Sequence, residues 1–518
     1  MRREQPLVDA ARRRMRRRLI AGGTAGLVAA ALLAVAPANA KKPDVAPLPH
    51  VSVRDGRIVD DVGRTVLLRG VNVNQLGDYF QGAAGVPPVL PFSRSDLEQI
   101  AALGLNSVRL LVHWSALEPR PGVHDVVYLD RVRQAVTWAR ELGLYVVLDM
   151  HQDAWGRYVN TARTDSCPPP LGAAIGWDGA PEWATYTDGL TRCRFQLREA
   201  SLAVADAWQS FWVDRGAIQQ HLVDTWAWLA GEFRDDPTVA GYDLLNEPNP
   251  GVALGGTDAV SLGEYHRRAL DAIRAAERGG LTKIVFFEPL ATWSATGVGI
   301  PRPWTGDTQI VYAPHIYLGS ISADVSVTGK EVVPLRTGFE QARREATVYG
   351  TTFWVGEWGE FGADGDYTRR FAALEDEFQV GSAFWQWKQA CGDPHGVSWP
   401  DGGVPKESGN LVRVRCGDAA APAGVPIGLV RSNSDALSRP YPRAFPGSVT
   451  FTSDPVSRRL AVHGTGGIGA GDLDVWVPGA SPPSLTTVGL RRVRTRQVAG
   501  GWRVGAEPAA PTWSLASS

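Results

Sequence analysis

Val239-Ala240-Gly241-Tyr242-Asp243-Leu244-Leu245-Asn246-Glu247-Pro248 is a short apolar run that closes on an amide, a carboxylate and a proline. Helix-patterned residues precede it at 217–233 and follow it at 263–276, with apolar positions recurring three and four apart. An apolar strand between two such helices is the repeating unit of a parallel sheet covered on both faces. Seven further runs of this kind lie at 65–72, 107–113, 145–151, 283–288, 310–315, 352–357 and 381–386, with more helical patterns at 94–103, 129–142, 336–349 and 367–378. Eight strands alternating with helices predict an α/β fold of the (β/α)8 TIM-barrel type. No GxGxxG turn follows the first strand, which argues against an open dinucleotide-binding sheet. Two connections, 77–93 and the tryptophan-rich 154–214, are too long for ordinary barrel loops and are expected at the strand C-terminal face, where barrel sites sit.

Outside this region the pattern changes. Runs at 448–453, 473–477 and 493–498 alternate with period two between Gly and Pro, which predicts a small antiparallel β-sandwich at 446–518 behind a barrel at 51–445. Residues 41–50 read as a Pro-rich linker. Before them, a basic cluster at 12–18, an uncharged apolar run at 19–36 and Ala38-Asn39-Ala40 read as a signal peptide, 1–40, cleaved after Ala40. Sec and twin-arginine export both remain open, and an uncleaved anchor is the alternative.

The chain is therefore expected to be secreted, where cysteines pair. Cys167, Cys193, Cys391 and Cys416 form no CxxC motif, so two disulfides are favoured over a zinc site; three pairings are open, of which Cys167–Cys193 and Cys391–Cys416 close the shortest separate loops. At 44% hydrophobic and 21% charged residues, the composition suits a globular protein with a sizeable core. Net charge is −1, yet eight Arg fall within residues 1–40, so the body is acidic and nucleic acid is excluded as the main partner.

Two of the apolar strands end in glutamate: Asn246-Glu247-Pro248 on the fourth, and Gly356-Glu357-Trp358-Gly359 on the seventh. A carboxylate at the lip of a buried strand is desolvated and needs a reason to be there. Facing carboxylates split their pKa values, so that one donates a proton while the other attacks, which is the chemistry of glycoside hydrolysis. His151 with Asp149 and Asp153 lacks any metal-ligand spacing, and no metal or other cofactor is expected.

These motifs, with Asp149-Met150-His151-Gln152-Asp153 and His315-Ile316-Tyr317, together resemble glycoside hydrolase family 5, and within it the endoglycoceramidase branch with its actinobacterial relatives. The similarity runs over 50–445 and extends to the Tyr441-Pro442-Arg443-Ala444 passage into a C-terminal β-domain. The resemblance implies a retaining mechanism with Glu247 as acid/base and Glu357 as nucleophile. It also implies that Asn246 bonds the sugar 2-hydroxyl, that Tyr317 bonds the nucleophile, and that Arg109 sits beneath it. Asp149 and His151 would bind the sugar before the cleaved bond, His315 would border that site, and Trp385 would stack on the ring, with Trp387 as its alternate.

By the same likeness the expected substrate is a glycosphingolipid, cut between oligosaccharide and ceramide, by a monomer that touches lipid surfaces transiently. Material for an apolar trough is sought in 154–214 and 86–92. Relatives carry a Lys after the first strand, whereas Gly70-Val71-Asn72-Val73-Asn74-Gln75-Leu76-Gly77-Asp78 has none, which makes galactosylceramide-linked chains the serious alternative. A family 5 β-glucanase or β-glucosidase on non-lipid glycans, and a silent glycan- or lipid-binding barrel, are the competing functions. On the C-terminal domain, Arg492, Arg494 and Arg496 are expected either to line one strand face toward anionic lipid or to form an ordinary solvated face.

Overall fold

The computed structural model describes residues 47–518 except 163–164, 175, 196–198, 253–257, 318–333, 360–364, 398–401 and 410. The leader and residues 41–46 of the linker lie outside the described residues. Eight parallel strands form the main sheet: β1 (Arg69–Val73), β2 (Ser107–Val112), β3 (Tyr145–Met150), β4 (Val239–Asp243), β5 (Ile284–Phe287), β6 (Ile310–Tyr312), β7 (Val355–Trp358) and β8 (Ser382–Phe384). Their order is β6-β5-β4-β3-β2-β1-β8-β7. The two ends meet where Tyr312 bridges Phe353 and the Trp354 N–H donates to Tyr312 O at 2.8 Å, so the sheet closes into the expected barrel. Helices flank it, among them Arg94–Ala102, Val126–Leu142, Ile218–Phe233, Asp258–Ala276, Leu335–Val348 and Asp366–Phe378.

Alternation sorts the strand residues. Val285 and Phe287 of β5 pack outward in the large helix–barrel core, while Ile284 and Phe286 join an inner cluster with Val147, Val311 and Ala383. Strand β7 breaks this rule. Trp354 is inner and both Val355 and Trp358 are outer, so strict alternation would send Glu357 outward with Val355. Between Val355↔Ser382 and Trp358↔Phe384 the ladder holds one extra residue, and this bulge re-aims Glu357 into the barrel. Gly356 is required beside it, since a Cβ there would stand 2.9 Å from His315 Nε2.

The C-terminal strands build a sandwich. A seven-stranded antiparallel sheet runs Val51–Arg54, Arg57–Asp60, Thr65–Val66, Tyr441–Phe445, Leu473–Pro478, Gly501–Pro508, Leu490–Val498, and a four-stranded sheet runs Ser448–Ser453, Leu460–Thr465, Thr512–Ser517, Leu485–Val488. Phe445, Val475, Trp476 and Val504 from one sheet and Phe451, Val462, Trp513 and Leu515 from the other share one core. Residues 51–66 and 441–445, placed with the barrel by the sequence, hydrogen-bond into the larger sheet. Pairing between segments almost 400 residues apart leaves no local trace.

The arginine strand differs from expectation in geometry. A bulge falls between Arg491 and Arg494, with Arg492 at φ 48°, so Arg492 leaves the alternation. Arg491 and Arg492 pair with Glu507 and Arg494 with Asp472, so much of the charge is matched within the domain. Disulfides join Cys167 to Cys193 and Cys391 to Cys416. The tryptophans of the 154–214 insertion also depart from the expected role: Trp155, Trp177 and Trp208 are buried, and Trp155 packs against Trp114, Trp208 and Phe211 as core.

His266, on Asp258–Ala276, is buried against Phe287 and Trp304, and neither ring nitrogen has a hydrogen-bond partner among the described residues. Burial pushes its pKa down to about 3. The unfolded chain then binds a proton below pH 6.5 that the folded one refuses, so this stability is present above pH 6.5 and lost as pH falls toward 3. The His266→Phe variant is expected to flatten the acid limb of a melting-temperature profile by about one proton, roughly 1.4 kcal/mol per pH unit. An unchanged limb would show that other groups set it.

Candidate active site

Each barrel strand delivers a polar or aromatic group to the C-terminal end of the barrel: Asn72 from β1, Arg109 from β2, Asp149 from β3, Asp243 from β4, Glu288 after β5, His315 after β6, Glu357 from β7 and Trp385 after β8. Arg109 is wholly buried and joins most of them. Its Nη1 donates to Glu357 Oε1 at 2.7 Å and Asn72 Oδ1 at 3.1 Å, and its Nε to Asp243 Oδ2 at 2.9 Å. Nη2 meets Asp149 Oδ1 at 2.8 Å, Glu288 Oε1 at 2.9 Å and Asn246 Oδ1 at 3.1 Å. Burial opposes this charge, but the carboxylates of Asp149, Asp243, Glu357 and Glu288 hold the guanidinium firmly protonated.

Above Arg109 stand the two expected glutamates. Glu357 accepts from Arg109 on one oxygen and from the Tyr317 hydroxyl on the other, at 2.9 Å. Burial, then Glu357 and Glu247, push the Tyr317 phenol well up, so it stays a neutral donor. His315 Nδ1 lies 2.9 Å from Glu247 Oε1 and 3.6 Å from Glu357 Oε2, and its Nε2 lies 3.1 Å from Glu288 Oε1. Burial alone would strip its proton; Glu288, Glu357 and Glu247 keep the ring charged. One oxygen of Glu247, one of Glu357 and a nitrogen of His315 all lie within 4.8 Å of one another.

The other side of the pair is a wall of paired acids and imidazoles. Asp149 Oδ2 accepts from His151 Nδ1 at 2.7 Å, and His151 stacks on Trp385 with centroids 5.4 Å apart and planes 14° apart. Burial opposes the charge on His151, but Asp149 and Asp153 raise its pKa well above the ordinary value. Beyond Trp385, His395 touches Asp393 at 2.7 Å and Asp153 at 3.4 Å, beside Trp177. Against burial, these acids push its pKa up to about 10. Trp387 does not join this wall: its indole donates to Asp96 at 3.0 Å within the outer core, where Lys388 also pairs. Gln75 is buried too, donating to Lys388 O and tying the first loop to the last.

Among the described residues, three groups have ligand atoms close enough to hold a metal: His151/Asp153/Asp178, Glu247/His315/Glu357 and Asp149/Asp243/Glu288. Each already contains or faces a protein cation, respectively His151, His315 and Arg109. The sequence reading missed Glu288, Asp243, Asn72, His113 with Asp178, and His395 with Asp393. Glu288 carried a signal, since Phe287-Glu288-Pro289 repeats the strand-end Glu-Pro of Asn246-Glu247-Pro248.

A closed parallel barrel with two facing carboxylates and a charged histidine at its C-terminal end defines a glycosidase-type site. Residues 59–391 match the profile described as Cellulase (glycosyl hydrolase family 5), and the chain belongs to glycoside hydrolase family 5. Among curated proteins it is similar to endoglycoceramidase I of Rhodococcus hoagii, 29% identical over 287 residues, covering 52% of this chain and 53% of that one. It is similar also to the endoglycoceramidase of Cyanea nozakii, 27% identical over 303 residues, 53% and 58% of the two chains. The chain spans about half the length of these relatives. Among solved structures, an endogalactoceramidase aligns with TM-score 0.83 at 47% identity over 91% of this chain and 100% of that one. Endo-glycoceramidase II from Rhodococcus sp., in its ganglioside GM3 complex, aligns with TM-score 0.67 at 27% identity over 90% and 99%.

Proposed function

We propose that this chain is a secreted, retaining endo-β-glycosidase that hydrolyses the bond between the glycan and the ceramide of glycosphingolipids. The observation that carries the reading is the Glu247–Glu357 pair, with oxygens within 4.8 Å. Retaining glycosidases hold their carboxyls ~5–5.5 Å apart and inverting ones ~6.5–9.5 Å, so a close pair supports retention, in which no water stands between the second carboxylate and the anomeric carbon. Glu357 attacks the anomeric carbon while Glu247 protonates the departing ceramide oxygen. Glu247 then takes a proton from the water that attacks the glycosyl ester, and Glu357 departs as carboxylate. Arg109 and Tyr317 point the nucleophile and balance its charge. Asn246 has a donor hydrogen beyond its bond to Gln152 O at 3.0 Å, and that hydrogen serves the sugar 2-hydroxyl.

The wall of Asp149, His151 and Trp385 suits a sugar ring, with an indole for stacking, a charged donor in His151 and an acceptor in Asp149. Beside Glu247 and His315, Pro289, Leu290, Ala291 and Trp293 line a recess of about 10 Å³, and Phe195, Leu202 and Val252 are exposed on the 154–214 insertion and on the loop after β4, apolar surface available to an aglycone. Lipid substrates are supported by the names of the relatives. A galactosylceramide-linked glycan is favoured within that class by the 47% identity to an endogalactoceramidase and by the lysine-free 70–78 segment. The two disulfides and the reading of 1–40 support export.

The test is product analysis with detergent-dispersed GM1-type ganglioside, oligogalactosylceramide and a cello-oligosaccharide. Intact oligosaccharide plus free ceramide, with oligogalactosylceramide cut fastest, is the expected result. Cleavage of the cello-oligosaccharide alone would remove the lipid from the proposal.

A further inference from the structure

We infer that Glu288 is the positioning residue of the acid/base, holding Glu247 through its backbone and through His315 at once. The inference rests on the reading of Glu247 as acid/base and adds a residue to it. Glu247 has φ 38°, a left-handed backbone that a side chain with a Cβ adopts at a cost of order 1–3 kcal/mol and keeps only where its surroundings impose it. Here the imposing contact is visible: the Glu247 N–H donates to Glu288 Oε2 at 2.8 Å. The same carboxylate's other oxygen accepts from Arg109 at 2.9 Å and lies 3.1 Å from His315 Nε2, while His315 Nδ1 reaches Glu247 Oε1 at 2.9 Å.

Glu288, His315 and Glu247 thus form a closed ring of contacts. Glu288 fixes where the Glu247 backbone turns, and through the imidazolium it fixes where one carboxyl oxygen points. Glu288 is 1% exposed and lies behind both partners, so it acts through them and not on the sugar. Glu357 takes its hydrogen bonds from Arg109 and Tyr317, and Glu288 reaches it only at second hand, through the shared Arg109 and through His315 Nδ1 at 3.6 Å. Loss of Glu288 should therefore damage proton transfer selectively.

That selectivity is measurable. A leaving group that departs without protonation, such as 2,4-dinitrophenolate, bypasses the acid in the first step, whereas phenolate needs it. In the second step azide attacks C1 of the glycosyl ester, expels the Glu357 carboxylate and needs no general base. The experiment compares wild type, Glu288→Gln, Glu288→Asp and Glu247→Gln on the 2,4-dinitrophenyl and phenyl β-glycosides of the glycon that the wild type accepts, lactose or galactobiose, with and without sodium azide.

For Glu288→Gln the expected result is a fall in kcat/KM of about 100-fold on the phenyl glycoside and under about tenfold on the dinitrophenyl glycoside. Azide should raise kcat on the latter and give glycosyl azide. Glu288→Asp, which keeps the carboxyl but withdraws it by one methylene, should show the same bias. Equal losses on both glycosides in the Glu288 variants, without azide product, would overturn the inference while Glu247→Gln still shows the bias. If Glu247→Gln itself shows neither bias nor azide product, the acid/base assignment falls, and this inference with it.

Discussion

With Glu357 as the proposed nucleophile, Glu357→Gln is expected to lower kcat by about four orders of magnitude or more on every substrate, because only binding and electrostatics are left to act. The loss should not depend on leaving group, since the first bond to carbon cannot form whether or not the departing oxygen is protonated. This separates it from the acid/base side of the site. Folding should survive, because the glutamine Oε1 still accepts from Arg109 Nη1, the contact that the carboxylate makes at 2.7 Å. Single-turnover kinetics on the dinitrophenyl glycoside check the prediction. A residual rate within tenfold of wild type would place the nucleophile elsewhere.

The largest effect on stability belongs to Arg109→Leu. Four carboxylates, Asp149, Asp243, Glu288 and Glu357, face this one guanidinium, and all five groups are buried. Removing one partner of a buried ion pair costs about 3–5 kcal/mol, and here Asp149 and Glu288 would keep only His151 and His315 as counter-charges, out of reach of water. Burial, only partly offset by Arg109 at Asp243 and by His315 and then Arg109 at Glu288, already pushes Asp243 up to about 6 and Glu288 up to about 8. Without the cation both rise further. A carboxyl whose folded pKa is raised gives its full stability below the unfolded pKa near 4.5 and loses it as pH rises through the folded value. The variant should therefore be least deficient near pH 5 and worst above pH 8, as read by urea unfolding across that range. A pH-independent loss below about 1 kcal/mol would mean that the carboxylates are not coupled through Arg109.

The barrel was legible in the chain because each strand is an apolar run bounded by helical periodicity, and Glu247 and Glu357 stood out as charges where apolar strands end. Arg109, Asp149, His151, Asn246, His315, Tyr317 and Trp385 converge on that same end. Other features left weaker traces. The inward turn of Glu357 depends on an extra residue in β7, visible only in the ladder. Glu288 ends β5 with the same Glu-Pro signature as Glu247, but its meaning lies in contacts with Arg109 and His315, 179 and 27 positions away. The insertion tryptophans look alike in sequence whether they pack or bind, and burial decides for packing at Trp155, Trp177 and Trp208. Pairing of 65–66 with 444–445 joins segments from opposite ends of the described chain, and neither segment announces its partner.

The measurement that tests the central claim most directly is a covalent trap. The 2,4-dinitrophenyl 2-deoxy-2-fluoro glycoside of the accepted glycon slows hydrolysis of the glycosyl ester, so the enzyme accumulates with sugar attached and can be digested and weighed peptide by peptide. The expected adduct sits on the peptide that contains Glu357, in one copy per chain, and is absent from Glu357→Gln. An adduct on another carboxylate, or none alongside a product of inverted anomeric configuration, would contradict the account.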